Sequence, residues 1–565
     1  MKTRNKLLTL FIASASTCLL SACNEHGSKA DETVVYSLET EDSFANSPQT
    51  PKPIGSTSYY STESNNTVVN SQDGTITLTD ATVLSNISSE GIGVTSTSTE
   101  TYQPISENHF QTTQQQPLST FSIDVDNASY SNVRRFLNNN QLPPANAVRI
   151  EEMINYFDYA YEESTSNHPF SIATEVASCP WNENNQLVHI GIKGKSIAPN
   201  AVKANNLVFL IDASGSMNDN NKLPLLKKSF NLLIENLNEN DRIAIVAYAG
   251  AAGLVLPSTE IRNASTIINA LNHLEAGGST AGGAGIELAY EVAKENFIKN
   301  GNNRVILATD GDFNVGTSSA NDLVKLIEAK RNENIFLTIC GMGMGNYKDY
   351  QMEALSNAGN GNYFYIDNIL EAKKVFVDDL QGNLFTIAKA VKIQIEFNPT
   401  YVQSYRLIGY ENRLLATEDF ENDLKDAGEL GAGHTVTALY EIVPASQKGR
   451  TTSRLKYQQS KPTKAAQSNE VATIKFRYKN LKARESTLIE QTIRATSKEF
   501  NSAGKNLRFS STVAAFGLLL RNSAYRGTLT YPQLIKMVNA VSKNDPHGLQ
   551  QEFAQLVKKA ALLSK

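Results

Sequence analysis

Between residues 203 and 385, short apolar runs alternate with amphipathic stretches, a pattern few folds accommodate. Leu207–Ile211, Ile243–Tyr248, Val305–Ala308, Ile335–Cys340 and Tyr363–Ile366 are continuous apolar runs without polar alternation. Strands covered on both faces read this way, whereas a half-exposed strand alternates. Helical periodicity fills the gaps. Leu223, Leu226, Phe230, Leu233 and Leu237 form one stripe, with Pro224 in the first turn, where its missing N–H costs nothing. Further helices are expected over 264–274, 284–297, 323–331, 349–356 and 370–380, and Gly253–Pro257 reads as an edge strand. The pattern predicts an α/β, doubly wound sheet with helices on both faces.

The flanks follow a different period. Phe170, Ile172, Thr174 and Val176 alternate, and Leu187–Lys193 forms a second strand-like run. Alternation resumes after the α/β block at Val391, Ile393, Ile395 and Phe397, at Val436, Ala438 and Tyr440, and at Ala472, Ile474, Phe476 and Tyr478. The expectation is a β-sandwich interrupted by an inserted α/β domain; two separate β domains are the alternative. Residues 118–202 would supply N-terminal helices and the first sandwich strands, with Asp126 capping a helix over 127–137 and a second helix over 148–156. Residues 203–385 would form the insert, 386–500 the remaining strands and 501–565 a small helical C-terminal region.

The N-terminus reads as a processing segment. Lys2, Arg4 and Lys6 precede an apolar stretch, Leu7–Leu20, too short to span a bilayer. Leu20-Ser21-Ala22-Cys23 resembles the lipobox of bacterial lipoproteins, which implies removal of residues 1–22 and lipidation of Cys23. Asn24 is not the Asp associated with inner-membrane retention, so the outer membrane is the expected address within the bacterial cell envelope. Residues 23–117 are rich in Ser, Thr, Asn and Gln and poor in large apolar residues, and read as a disordered tether. Within it, Thr75-Ile-Thr-Leu-Thr alternates and hints at a short strand. The remaining Cys179 and Cys340 are expected as buried thiols. A formal net charge of −5 and no basic stripe argue against a nucleic-acid binder.

The chemistry concentrates at strand ends. Asp212-Ala-Ser214-Gly-Ser216 follows the first apolar run and Asp310-Gly311 follows Val305–Ala308. Loops at the carboxyl ends of an open α/β sheet share one crevice. Gly277-Gly-Ser-Thr280 can reach the same edge. Two carboxylates and three hydroxyls are hard oxygen donors, suited to Mg²⁺, with Mn²⁺ and Ca²⁺ fitting the same set. Helix capping accounts for one of these residues, not for five on three loops. Asp312 and Asn314 read as solvated turn residues, and His434 as structural. Gly341-Met-Gly343-Met-Gly345 has the wrong spacing for a dinucleotide loop and reads as a tight turn. No Gly-Lys-Ser/Thr follows the glycines at 277–285, so no nucleotide is expected.

These segments resemble the metal-ion-dependent adhesion site of von Willebrand factor type A domains. The resemblance covers about 203–385 and implies Ser214, Ser216 and Thr280 as direct ligands, with Asp212 and Asp310 acting mainly through hydroxyls or water. Ser119-Thr-Phe-Ser-Ile-Asp-Val-Asp126, Val148-Arg-Ile-Glu-Glu152, Asn155-Tyr-Phe157 and Asp426-Ala-Gly-Glu-Leu-Gly-Ala-Gly-His-Thr435 resemble one bacterial lipoprotein family of this class, the YfbK-like group. The functional expectation is a non-enzymatic lipoprotein whose metal takes a carboxylate from a protein partner, in adhesion or envelope assembly. Alternatives are a structural envelope protein with an inert metal and a metal-dependent hydrolase, for which Asp312 would have to serve as base.

Overall fold

The computed structural model describes residues 71–72, 75–76 and 99–565, apart from 124–125, 199–201, 279–281, 312–319, 426, 446–462, 482, 543–544 and 546. The chain divides into two units, residues 1–92 and 93–565. In the first, Ser71–Gln72 pairs antiparallel with Thr75–Ile76, at the start of the alternating Thr75 segment. The signal segment, Cys23 and most of the tether lie outside the described residues.

The second unit is built around a six-stranded sheet in the order Tyr363–Ile366, Phe336–Met342, Asn302–Thr309, Asn205–Asp212, Arg242–Tyr248, Ala252–Glu260. The first five strands run parallel and Ala252–Glu260 closes one edge antiparallel. The central strand explains its unbroken apolar sequence. Leu207, Phe209 and Ile211 join a core with Leu226, Phe230 and Leu233 of the helix Leu223–Glu235, while Val208 and Leu210 join the opposite core with Ile286, Ala289 and Tyr290 of the helix Gly282–Glu295. The last expected helix of this block is not continuous. It runs as α-helix over Ile369–Lys373, as one π-turn over Lys374–Asp378 and again as α-helix over Leu380–Leu384.

Two sheets form the sandwich, antiparallel except where Ser497–Lys498 pairs parallel with Phe170–Cys179, and their pairing shows the insertion. Leu118–Ser122 pairs with Thr386–Phe397, and Asn182–Gly194 pairs with Thr435–Pro444, so strands before the α/β block bond directly to strands after it. Val188, Ile190 and Ile192 of one sheet share a core with Ile393, Ile395 and Phe476 of the other. The strands Phe170–Cys179, Val402–Ile408, Glu470–Asn480 and Thr487–Arg494 supply most of the rest of the two sheets.

The helical region differs from expectation in its extent. Lys505–Leu520, Tyr531–Val541 and Leu549–Leu563 do not stand alone. Phe509, Phe516 and Phe553 pack with Tyr130, Met153 and Phe157 of the N-terminal helical segments into one core. Gly517 permits this approach, since a Cβ there would lie 2.7 Å from Ile150 Cγ1. Asp126 does not cap the helix Ala128–Asn138. Its carboxylate instead accepts from the Tyr363 backbone N–H at 2.8 Å and from Arg413 at 3.1 Å, tying the segment to the α/β block. The tether also ends earlier than residue 117. Glu100 pairs with the buried Arg135 at 2.7 Å and Gln111–Thr112 adds to a sandwich sheet, so residues from 99 onward belong to the packed body.

Candidate metal centre

The order of the parallel strands fixes where a ligand crevice opens. From the central strand the chain moves to Arg242–Tyr248 on one side and returns to Asn302–Thr309 on the other. The switch point lies between the carboxyl ends of Asn205–Asp212 and Asn302–Thr309, where Asp212 and Asp310 emerge.

Asp212 is fully buried. One carboxylate oxygen accepts from the Ser214 N–H at 2.9 Å; the other accepts from the Thr309 hydroxyl at 3.0 Å and the Tyr248 hydroxyl at 3.2 Å. Burial pushes this carboxyl above its ordinary range and the nearby Asp310 charge pushes the same way, while the Ser214 and Thr309 hydrogen bonds pull it back. Asp212 therefore fixes the loop that follows. Ser214 and Ser216 leave that loop with their Oγ atoms 3.1 Å apart. Neither caps the following helix, which begins after Lys222. Ser214 is buried and Ser216 exposed, so the pair sits where the crevice meets solvent. The glycine loop is laced to the same place. The Gly277 N–H donates to the Ala213 carbonyl at 2.8 Å, and the Gly215 N–H donates to the Gly278 carbonyl at 3.1 Å. Thr280 itself lies outside the described residues, as do Asp312 and Asn314.

The donor set can be tested against an ion. Octahedral Mg²⁺ with bonds of about 2.1 Å places adjacent oxygens about 3.0 Å apart. The Ser214–Ser216 separation of 3.1 Å matches two adjacent positions. Below them stand two buried carboxylates, so the hydroxyls, charge and burial all suit a hard cation.

One participant carries no sequence signal. Lys222 is 4% exposed, and its ammonium donates to Asp310 at 2.9 Å and to the Ser216 carbonyl at 3.0 Å. Its stem lies against Gly343, which has φ of +73°; a Cβ at that position would lie 2.3 Å from Lys222 Cε. The turn at 341–345 thus makes room for a built-in cation. Six residues separate Lys222 from Ser216, and no motif joins it to Gly343, so only the folded arrangement shows the pair.

The chain matches the von Willebrand factor type A domain family over residues 206–378, a family described as von Willebrand factor over 96–189, and one described as the C-terminal part of the uncharacterized protein YfbK over 382–563. It is 42% identical over 470 residues to the uncharacterized protein YfbK of Escherichia coli K12, covering 82% of this chain and 81% of that one. The chain belongs to the YfbK family. A second relative, the uncharacterized protein sll0103 of Synechocystis, is 30% identical over 175 residues, which is 30% of this chain and 40% of that protein. Among solved structures, a von Willebrand factor type A protein from Catenulispora acidiphila is 18% identical, with 71% of this chain and 91% of that one covered and a TM-score of 0.37. The ArnB paralog VWA2 from Sulfolobus acidocaldarius is 13% identical, with 70% and 98% covered and a TM-score of 0.34. A von Willebrand factor type A domain in a YfbK-family chain points to protein interaction or adhesion.

Proposed function

We propose that this chain is a lipid-anchored envelope protein that captures a protein partner through a divalent cation, without catalysing a reaction. Ser214, Ser216 and Thr280 would hold the ion directly, with Asp212 and Asp310 stabilising it through hydroxyls or water. The ion would be Mg²⁺, with Mn²⁺ and Ca²⁺ suited to the same oxygens. When bound it supplies a Lewis-acidic position for a carboxylate oxygen of the partner. The observation that carries this reading is the 3.1 Å hydroxyl pair at the mouth of a crevice floored by two buried carboxylates. Cys23 would carry the lipid, placing the protein on the outer rather than the inner membrane.

The test is capture of partners from solubilised envelopes in Mg²⁺ and in EDTA, using the lipidated chain and Asp212→Ala. Retention only by wild type in Mg²⁺ supports the reading. Retention indifferent to both chelator and substitution overturns it. Labelling with a palmitate analogue, lost in Cys23→Ser, tests the anchor separately.

A further inference from the structure

The glycine-rich segment 426–435 has no part in the metal centre. Ala427, Gly428, Glu429, Gly431 and His434 line a cavity of about 230 Å³ at the opposite end of the parallel sheet, between the α/β block and the sandwich. An ordered water needs about 15 Å³ of such volume, so a molecule of several heavy atoms fits. The α/β block contributes Arg304, near the start of Asn302–Thr309, Asn357 from the last turn of the helix Asp349–Ala358, and Asn360 from the turn that follows it.

Arg304 is 2% exposed. Its Nη1 donates to the Thr338 hydroxyl at 2.5 Å, but its Nε–H meets no acceptor and it forms no ion pair among the described residues. The other buried arginines of this body each have a carboxylate partner, although the Nε–H of Arg406 also meets no acceptor. Arg134 and Arg149 each touch several carboxylates, which hold them well above the ordinary range. Burial pulls Arg304 down to about 10, opposed only by Glu429 at longer range. Glu429 is already engaged. It accepts from Asn360 at 2.9 Å and Thr386 at 2.7 Å, and Lys389 stands 4.0 Å away. The neighbouring Arg413 spends its charge on Asp126 and Glu353. Across the cavity wall, the Oδ1 of Asn357 receives no donor. A buried guanidinium short of an acceptor and a buried amide oxygen short of a donor each carry a penalty that one suitable guest removes.

We propose that this cavity binds a small polar carboxylate, with its carboxylate on Arg304 and a hydroxyl or amino group donating to Asn357. The guest completes the charge balance that Glu429 leaves open, and the glycines of 426–435 let the backbone approach it closely.

The experiment is calorimetric titration and thermal melting of the full chain in EDTA, which keeps carboxylates off the metal centre. The probes are lactate, glycerate, glycine and malate, with acetate, inorganic phosphate and chloride as controls. The expected result is saturable binding of one or more hydroxy- or amino-carboxylates at least tenfold tighter than acetate. Arg304→Met should abolish binding, and Asn357→Leu should erase the preference over acetate. Both variants should keep the wild-type melting response to Mg²⁺. Should Arg304→Met not fold, the loss of preference in Asn357→Leu carries the test. The proposal is overturned if no carboxylate binds wild type, if phosphate binds and carboxylates do not, or if both variants bind as wild type does.

Discussion

Two buried charge clusters border the α/β block, and they are balanced in opposite ways. In the joint to the N-terminal helices, Arg149 meets Asp349 at 2.9 Å, Glu152 at 3.2 Å and also Glu353, which Arg413 reaches at 3.0 Å. Arg134 grips Asp367 at 2.5 Å and Glu371 at 2.6 Å. Planar guanidinium forks serve several carboxylates at once, and the cluster is closed to solvent. At the candidate metal centre Asp310 pairs with the Lys222 ammonium and Asp212 accepts hydrogen bonds from Ser214, Thr309 and Tyr248, while the serine hydroxyls above them bond to each other at the solvent edge. The closed cluster sets how the insert is held, whereas the open one leaves donors for something else. On the proposed reading, similar charges therefore serve rigidity in one place and capture in the other.

The sharpest way to break the comparison is to remove a fork from the closed cluster. Arg149→Met removes the guanidinium that Asp349, Glu152 and Glu353 share, leaving Glu353 to Arg413, and breaking a buried pair in this way costs about 3–5 kcal/mol. Urea denaturation should show that loss. A cost below about 1 kcal/mol would mean that water already reaches the cluster. The same joint should respond to acid. Burial raises the Asp349 carboxyl to about 6, ahead of the opposing pull of Arg149. The folded protein therefore binds a proton more readily than the unfolded chain between about pH 4 and 6. Its stability falls as pH rises through that window, with the full cost present above pH 6 and relieved towards pH 4. For this group alone the relief is roughly 3 kcal/mol. Asp349→Asn should flatten that part of the stability profile; an unchanged slope would place the titration elsewhere.

The open cluster should respond to metal instead. If Mg²⁺ binds the folded chain alone, a concentration of 100 Kd adds about 2.7 kcal/mol of stability. Melting with and without EDTA should show the gain in wild type and not in Asp212→Ala.

The contrast also explains what the sequence disclosed. The parallel strands are legible because burial on both faces leaves unbroken apolar runs such as Leu207–Ile211. The strand Val402–Ile408 is hidden because Arg406 is buried against Glu441 at 2.9 Å, which interrupts the apolar pattern. Thr487–Arg494 is hidden for the reverse reason, with Leu488 and Glu490 on an exposed face. At the centre, Asp212, Ser214, Ser216 and Asp310 stand at strand ends, so short spacing and strand order bring them to one crevice. Arg304 stands near the start of the strand Asn302–Thr309 and looks like any solvated strand end until the sandwich closes over it. Lys222 becomes meaningful only once the turn at Gly343 is folded against it.

Lys222 gives the smallest and most discriminating test. Its ammonium neutralises Asp310 but also places a positive charge beside the position an ion would take. Lys222→Met preserves the stem that packs on Gly343 and deletes the charge. The buried Asp310 then loses this ion pair in the metal-free chain, which should melt lower than wild type in EDTA. Removing the repulsion should tighten Mg²⁺ at least tenfold, equivalent to about 1.4 kcal/mol. The melting gap between wild type and variant should consequently narrow as Mg²⁺ is added. If Mg²⁺ instead binds the variant more weakly, the hydrogen bond from Lys222 to the Ser216 carbonyl matters more for holding the serine loop than its charge does for opposing the ion. The open cluster would then be preorganised by the same cation that competes with its guest.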